Sequence, residues 1–254
     1  RFFSNNRVTP RAVFDAHVRA TIRRASAEPD VLVLHDTTEF RFGGEKHRDG
    51  LGWINSRNRQ QGFLAHFSIC VSSMGRPLGS LALHAWARHG DDRKERPKDK
   101  DLRDPDRESV RWQDSVLLAE ELLHGSTKVV HVMDREGDST ELLSLLVEHG
   151  ARFVIRLAHD RRLTPGRGRL GTPKLFDSLS KVPFLFRRTV RLSARGRFKP
   201  ANKNRVFPAR HARVATLEVR AGTREIFASH TLPAFIPKSL TLNVVEVREV
   251  KAPK

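Results

Sequence analysis

A single cysteine in 254 residues excludes any disulfide within the chain. Cys70 lies in the apolar run of residues 63–71, where a buried, inert thiol is expected rather than a nucleophile. No apolar stretch approaches the roughly 20 residues of a membrane-spanning helix, and no secretory leader is visible. The expected location is therefore the cytoplasm, with no membrane partner. Acidic residues are also scarce: 29 Asp plus Glu stand against 47 Lys plus Arg, a formal charge of +18. That excess argues for a polyanionic partner, nucleic acid first and an anionic membrane surface second. The length suffices for a sizeable core, as one large domain or one domain with an inserted module. The chain opens on Arg1 rather than Met and ends just past an apparent strand, so a piece of a longer protein is expected.

The order of elements points to a mixed α/β fold. Thr9 and Pro10 form a cap and first-turn pair, and Val13, Phe14, His17, Val18, Ile22 and Ala25 recur at helical spacing as far as Pro29. A first buried strand follows at residues 31–38, then a polar, Gly-rich stretch at 41–61. Two β-like runs, 62–71 and 78–86, are joined through Met74, Gly75, Arg76 and Pro77 as a hairpin. Residues 87–106 are almost all charged and of both signs, the pattern of a solvated surface loop. Val116, Leu117, Ala119 and Leu123 mark a helix closed by Gly125. It delivers the chain to a second buried strand at 128–133, and a helical crossover makes that strand parallel to its partner. Asp138 and Glu141 have the spacing of a capping box for a helix that ends at Gly150, and residues 152–157 form a further strand.

Two aspartates stand out against this framework. Asp36 follows Val31, Leu32, Val33, Leu34 and His35, and Asp134 follows Val129, Val130, His131, Val132 and Met133. Runs this rich in β-branched residues suit strands buried on both faces, and a carboxylate at the end of one is costly to desolvate without a cation or donors. Two such carboxylates suggest one shared site, although Asp is also common wherever a strand gives way to a turn. By the strand period of two, His35 and His131 point away from their neighbouring aspartates, as packed or hydrogen-bonded groups under the helices. Carboxylates without His or Cys favour a hard ion, Mg²⁺ or Mn²⁺, and suit phosphoryl transfer in which two such ions clamp the attacking and leaving oxygens. Glu39 and Glu136 are weaker candidates for further ligands. A glycosidase also needs two carboxylates, but not this charge.

From about residue 160 to residue 254 the pattern is β-rich, with runs at 182–192, 213–220 and 240–250, and reads as a second module. Between the first two lie Arg195, Arg197, Lys199, Lys203, Arg205 and Arg210, with Phe198 and Phe207 interleaved and no acidic residue. Cations there would hold phosphates and an exposed ring could stack on a base; the alternative is a solvated hairpin tip.

Asp36-Thr37-Thr38, then Asp134-Arg135-Glu136-Gly137-Asp138, then Arg152-Phe153-Val154-Ile155-Arg156 together resemble the bacterial cut-and-paste DDE transposases of the insertion-sequence-four family. The opening Arg1-Phe2-Phe3-Ser4-Asn5 and the closing Leu240-Thr241-Leu242-Asn243-Val244-Val245 extend the resemblance along nearly the whole chain. The family usually carries Ala where Gly137 stands. The resemblance implies an RNase H-like core of mixed sheet and flanking helices over residues 1–159, and a β-rich insertion over 160–254. Asp36 and Asp134 match the first two members of the catalytic, metal-binding triad, which holds two Mg²⁺ ions for which Mn²⁺ can substitute. Arg135 matches a basic position able to touch a phosphate. The family's third carboxylate sits on a helix after the insertion, in a Tyr, Arg, Glu, Lys pattern that does not occur before Lys254. That catalytic helix and the C-terminal region are expected to be missing, as is the N-terminal end-recognition module. The implied partner is double-stranded DNA at transposon ends and target, with a dimer for the full-length protein. A non-catalytic DNA-binding or inhibitory transposase fragment is the alternative.

Overall fold

The structure is a computed structural model that describes residues 2, 4–44, 48–55, 60–88, 109–165, 172–199, 206–229 and 232–250. The chain divides into two compact units, Arg1–His159 and Asp160–Lys254.

The first unit is a mixed α/β layer. Helix α1, Pro10–Ala25, starts as its sequence dictates: the Thr9 hydroxyl accepts the Ala12 N–H, and Pro10 fills the first turn, where a missing donor costs nothing. It ends four residues before Pro29, and only Thr21 and Ala25 are fully buried. Strand β1, Asp30–Phe42, is longer than its apolar run implies, because β3, Gln60–Ser72, pairs antiparallel with it from Val31↔Ser72 to Phe42↔Gln61. Strand β4, Pro77–Trp86, forms the expected hairpin with β3, and Gly75 takes φ +82° in its turn. The polar stretch at 41–61 contributes one strand that the residues do not advertise, β2, Gly52–Asn55, which pairs with the start of β3. Its four residues are too few to show a period.

Helix α2, Val110–Leu123, leads into β5, Lys128–Met133, which lies parallel to β1; helix α3, Thr140–Glu148, leads to β6, Arg152–Ile155, parallel to β5. The sheet order is β2-β3-β1-β5-β6, with β4 also on β3. One face carries the core. Val31, Val33, Cys70, Leu81 and Val129 pack on Ala25 of α1 and on Ala119 and Leu123 of α2. A second cluster joins Trp112 and Val116 of α2 to Met133, Leu142 and Leu146. The opposite face carries exposed Ile69, Leu83 and Val154. Cys70 is wholly buried, and burial raises its thiol to about 11, which leaves it unreactive.

One expected cap is corrected. Asp138 does not open α3; Ser139 does, its hydroxyl accepting the Leu142 N–H. Asp138 is buried, and its Oδ2 accepts the N–H groups of Ala158 at 2.6 Å and His159 at 2.9 Å. The long-range acceptor role wins because the chain beyond β6 returns two free donors to this point.

The second unit is a three-stranded antiparallel sheet: β7, Phe186–Leu192; β8, Arg213–Phe227; β9, Ser239–Glu249. β7 starts four residues later than its apolar run, although the Leu185 N–H already donates to the Val219 carbonyl of β8. β8 runs seven residues past Arg220 because β9 keeps pairing as far as Phe227↔Ser239. Leu175, Leu179, Ile226, Ile236 and Leu240 form its small core. Among the described residues, no helix is long and apolar enough to cross a membrane.

Candidate functional site

Asp36 and Asp134 are neighbours by register. The parallel ladder of β1 and β5 runs from Asp30↔Lys128 to His35↔Met133 and then stops, so the next residue on each strand is an aspartate. Adjacent strands lie about 4.8 Å apart, and side chains at matched positions share a face. Asp36 is not at a strand end, since β1 continues against β3; what ends there is only its pairing with β5. Both aspartates are exposed, so the expected desolvation does not occur. The reason is local: after Met133 the chain turns away in a single 3-10 turn, Arg135–Gly137, and uncovers that side of β1.

Each carboxylate is held by one backbone donor. Asp36 Oδ1 accepts the Thr37 N–H and Asp134 Oδ1 accepts the Glu136 N–H, both at 2.8 Å. Among the described residues each Oδ2 has no protein partner. No group of three His, Cys, Asp or Glu among the described residues converges as a metal cage. Glu39 lies on the other face of β1, where its carboxylate receives Arg41 Nε at 2.9 Å. Glu39 and Glu136 line a cleft of about 350 Å³ together with Thr37, Trp112 and Ser139, away from the Asp36 side chain. Arg135 is exposed, one residue past Asp134.

Beneath the aspartates lies a buried polar chain that pattern reading only half anticipates. His35 and His131 are buried under α2 as expected, but they also bond to each other, Nε2 to Nδ1, at 2.9 Å. His35 Nδ1 meets Ser68 Oγ of β3 at 3.0 Å, and His131 Nε2 meets Glu120 Oε1 of α2 at 2.9 Å. His66, fully buried, meets Thr37 Oγ1 through Nδ1 at 2.9 Å and packs on Trp112. Burial holds His35 well below the ordinary imidazole range, lowers His131, and lowers His66 to about 4. The usable signal in the sequence is a histidine on the core-facing side of each aspartate strand; Ser68 and Glu120 carry none.

In the second unit, residues 193–199 and 206–212 extend from β7 and β8 as the two sides of a paired arm. Arg195↔Arg210 and Phe198↔Phe207 form bridges, and the two phenyl rings stack with centroids 6.4 Å apart. Arg195 lies over the Phe207 ring and donates to the Pro208 carbonyl, while Arg210 donates to the Ser193 carbonyl. Those two guanidiniums therefore brace the arm. Arg197 and Lys199 are exposed, as is more than half of Phe198. Lys203 and Arg205 lie outside the described residues. On the sheet itself three acids are matched by arginines: Glu218 by Arg187 and Arg220, Glu246 by Arg220 and Arg248, Glu249 by Arg213. Bonds from those arginines hold Glu218 and Glu249 below the usual carboxylate range. The uncompensated positive charge of this unit thus includes its arm.

Comparison of the chain with protein-family models finds no match.

Proposed function

We propose that the chain belongs to the catalytic core of a metal-dependent DNA transposase, with Asp36 and Asp134 as two of its acidic ligands and the first unit as an RNase H-like core. The observation that carries this reading is the register that puts the two aspartates side by side where the parallel ladder ends. The donor set fits the ion: each carboxylate keeps an oxygen free of protein partners, and Mg²⁺ is commonly held by one or two carboxylates, with water and substrate phosphate completing six positions. When bound, Mg²⁺ supplies Lewis-acid stabilisation of the phosphate oxygens and lowers the pKa of the attacking water.

The protein's part is placement. Asp36 and Asp134 would hold the ion beside which the scissile phosphate binds, and Arg135 neutralises a flanking phosphate. In the hydrolytic step a water oxygen bonds to phosphorus, the bond from phosphorus to the 3′ oxygen breaks, and that oxygen leaves as a 3′ hydroxyl after taking a proton. In strand transfer the 3′ hydroxyl is the nucleophile, so one phosphodiester forms as another breaks. Arg195, Arg197, Lys199 and Arg210 on the arm supply the phosphate contacts for the duplex, together with Lys203 and Arg205.

A second reading is favoured by the lack of a third converging acid among the described residues. It makes the chain a DNA-binding, non-catalytic piece of a transposase. Calorimetry with Mn²⁺ separates the two. Under the first reading the parent binds, and Asp36→Asn and Asp134→Asn, each with unchanged circular dichroism, remove the same binding event. Binding that survives both substitutions sinks the shared site, and a parent that binds duplex DNA but no Mn²⁺ supports the second reading.

A further inference from the structure

The chain of buried Ser68, His35 and His131, ending on partly exposed Glu120, crosses β3, β1, β5 and α2 under the point where the pairing of β1 with β5 ends. Its protons have one arrangement with both imidazoles neutral. The Glu120 carboxylate only accepts, so His131 Nε2 carries a hydrogen and donates to it. His131 Nδ1 is then bare and accepts from His35 Nε2–H. His35 Nδ1 is bare in turn and accepts from the Ser68 hydroxyl. Every polar atom of the two rings is thereby satisfied, and the direction is set from one end, by Glu120.

Packing does not require this chain. Apolar residues of similar volume commonly hold a core as well as a buried polar network does, and what such a network adds is directional constraint. Here the constraint falls at one place. Backbone pairing between β1 and β5 ends at His35↔Met133, and the bond between His35 and His131 is a side-chain tie between those two strands at that end, one residue before Asp36 and three before Asp134.

We infer that His35, His131 and Glu120 are positioning residues that set the separation of Asp36 and Asp134, acting from the far side of the sheet without touching an ion or a phosphate. The inference rests on the two-aspartate site proposed above. Glu120 is the place to test it, because its side chain is 39% exposed and its loss does not empty the core. Gln at this position keeps an oxygen that accepts from His131, whereas Ala removes it.

The experiment pairs Glu120→Ala with Glu120→Gln and reads two quantities. The first is the Mn²⁺ dissociation constant; loss of an outer partner of a ligand set typically costs about 10- to 100-fold. At least a tenfold weakening in Glu120→Ala, with Glu120→Gln within threefold of the parent, is the expected result. The second needs no metal: the amide resonances of Thr37 and Glu136, whose N–H groups bond the two carboxylates, should shift in Glu120→Ala and stay in place in Glu120→Gln. Unmoved amides in a folded Glu120→Ala overturn the inference whether or not the chain binds Mn²⁺. Shifted amides with a parent that binds no Mn²⁺ retain the positioning role and remove only the metal site. His131→Gln, checked the same way, should reproduce the Glu120→Ala shifts if it folds; a folded His131→Gln with parent-like amides also overturns it.

Discussion

Asp138 shows how one residue's part depends on contacts no local pattern contains. With Glu141 three positions on, it has the spacing of a helix cap, yet Ser139 takes that position and Asp138 turns inward to the Ala158 and His159 amides. Hydrogen bonds to a charged acceptor are worth about 1.5 to 3 kcal/mol each when removed. Asp138→Ala removes two of them and should therefore lower the unfolding free energy by about 3 kcal/mol or more in urea titration, and Asp138→Asn by less, since an acceptor oxygen remains. A loss under about 0.5 kcal/mol in Asp138→Ala, the range of an ordinary surface substitution, would show that the contact contributes nothing. Cys70 is the opposite case, a residue whose surroundings its sequence describes fully. It sits in a mostly apolar run and is wholly buried, so a thiol reagent should label it only as fast as the chain unfolds.

Single elements follow the same division between local and distant causes. The grip of α1 on β4 has a polar part beside its apolar one: Arg24 Nε donates to the Leu78 carbonyl at 2.6 Å, and the Ser80 N–H donates to His17 Nε2 at 2.9 Å. Gly79 lies between these two bonds at φ +137°, and a Cβ there would stand 2.1 Å from Thr21 Oγ1. Gly79→Ala should cost more than about 3 kcal/mol, from overpacking and left-handed strain together, while Gly75→Ala, with open space around it, should cost about 1 kcal/mol. Equal urea midpoints for the two variants would refute this docking. Strands β1, β3, β4 and β5 and helices α1 to α3 are legible in the sequence because each carries its own period or caps. β2 and the far halves of β1 and β8 are not, because only a partner strand makes them strands. The arm is legible in charge and as a hairpin, but its bracing by Arg195 and Arg210 is not. Arg197→Ala and Lys199→Ala should each reduce the slope of log K against log salt for duplex DNA by about 1, whereas Arg195→Ala should also loosen the arm. Unchanged slopes would make the arm the solvated hairpin tip that its sequence equally allows.

For the molecule as a whole, the buried histidines set the response to acid. His66, His35 and His131 are neutral in the fold and held below the unfolded value near 6.5 by burial, His66 to about 4. Between those values the unfolded chain binds more protons than the folded one. Their contribution to stability is thus complete above about pH 6.5 and falls away as the pH drops, by up to about 1.4 kcal/mol per pH unit for each histidine. The urea midpoint should fall clearly from pH 7 to pH 5, and less so in a folded His66→Gln; equal midpoints in the parent would mean that these imidazoles titrate as freely in the fold as outside it. The histidines are visible in the sequence, and so is their core-facing parity, but their linkage into one chain needs the register of three strands and a helix. The Asp138 contact has one more consequence. Ala158 and His159 close the first unit, and the chain passes from them straight into the second. Tension drawn along that crossing therefore reaches the Asp138 carboxylate, which stands four residues down the chain from Asp134, on the same short tether.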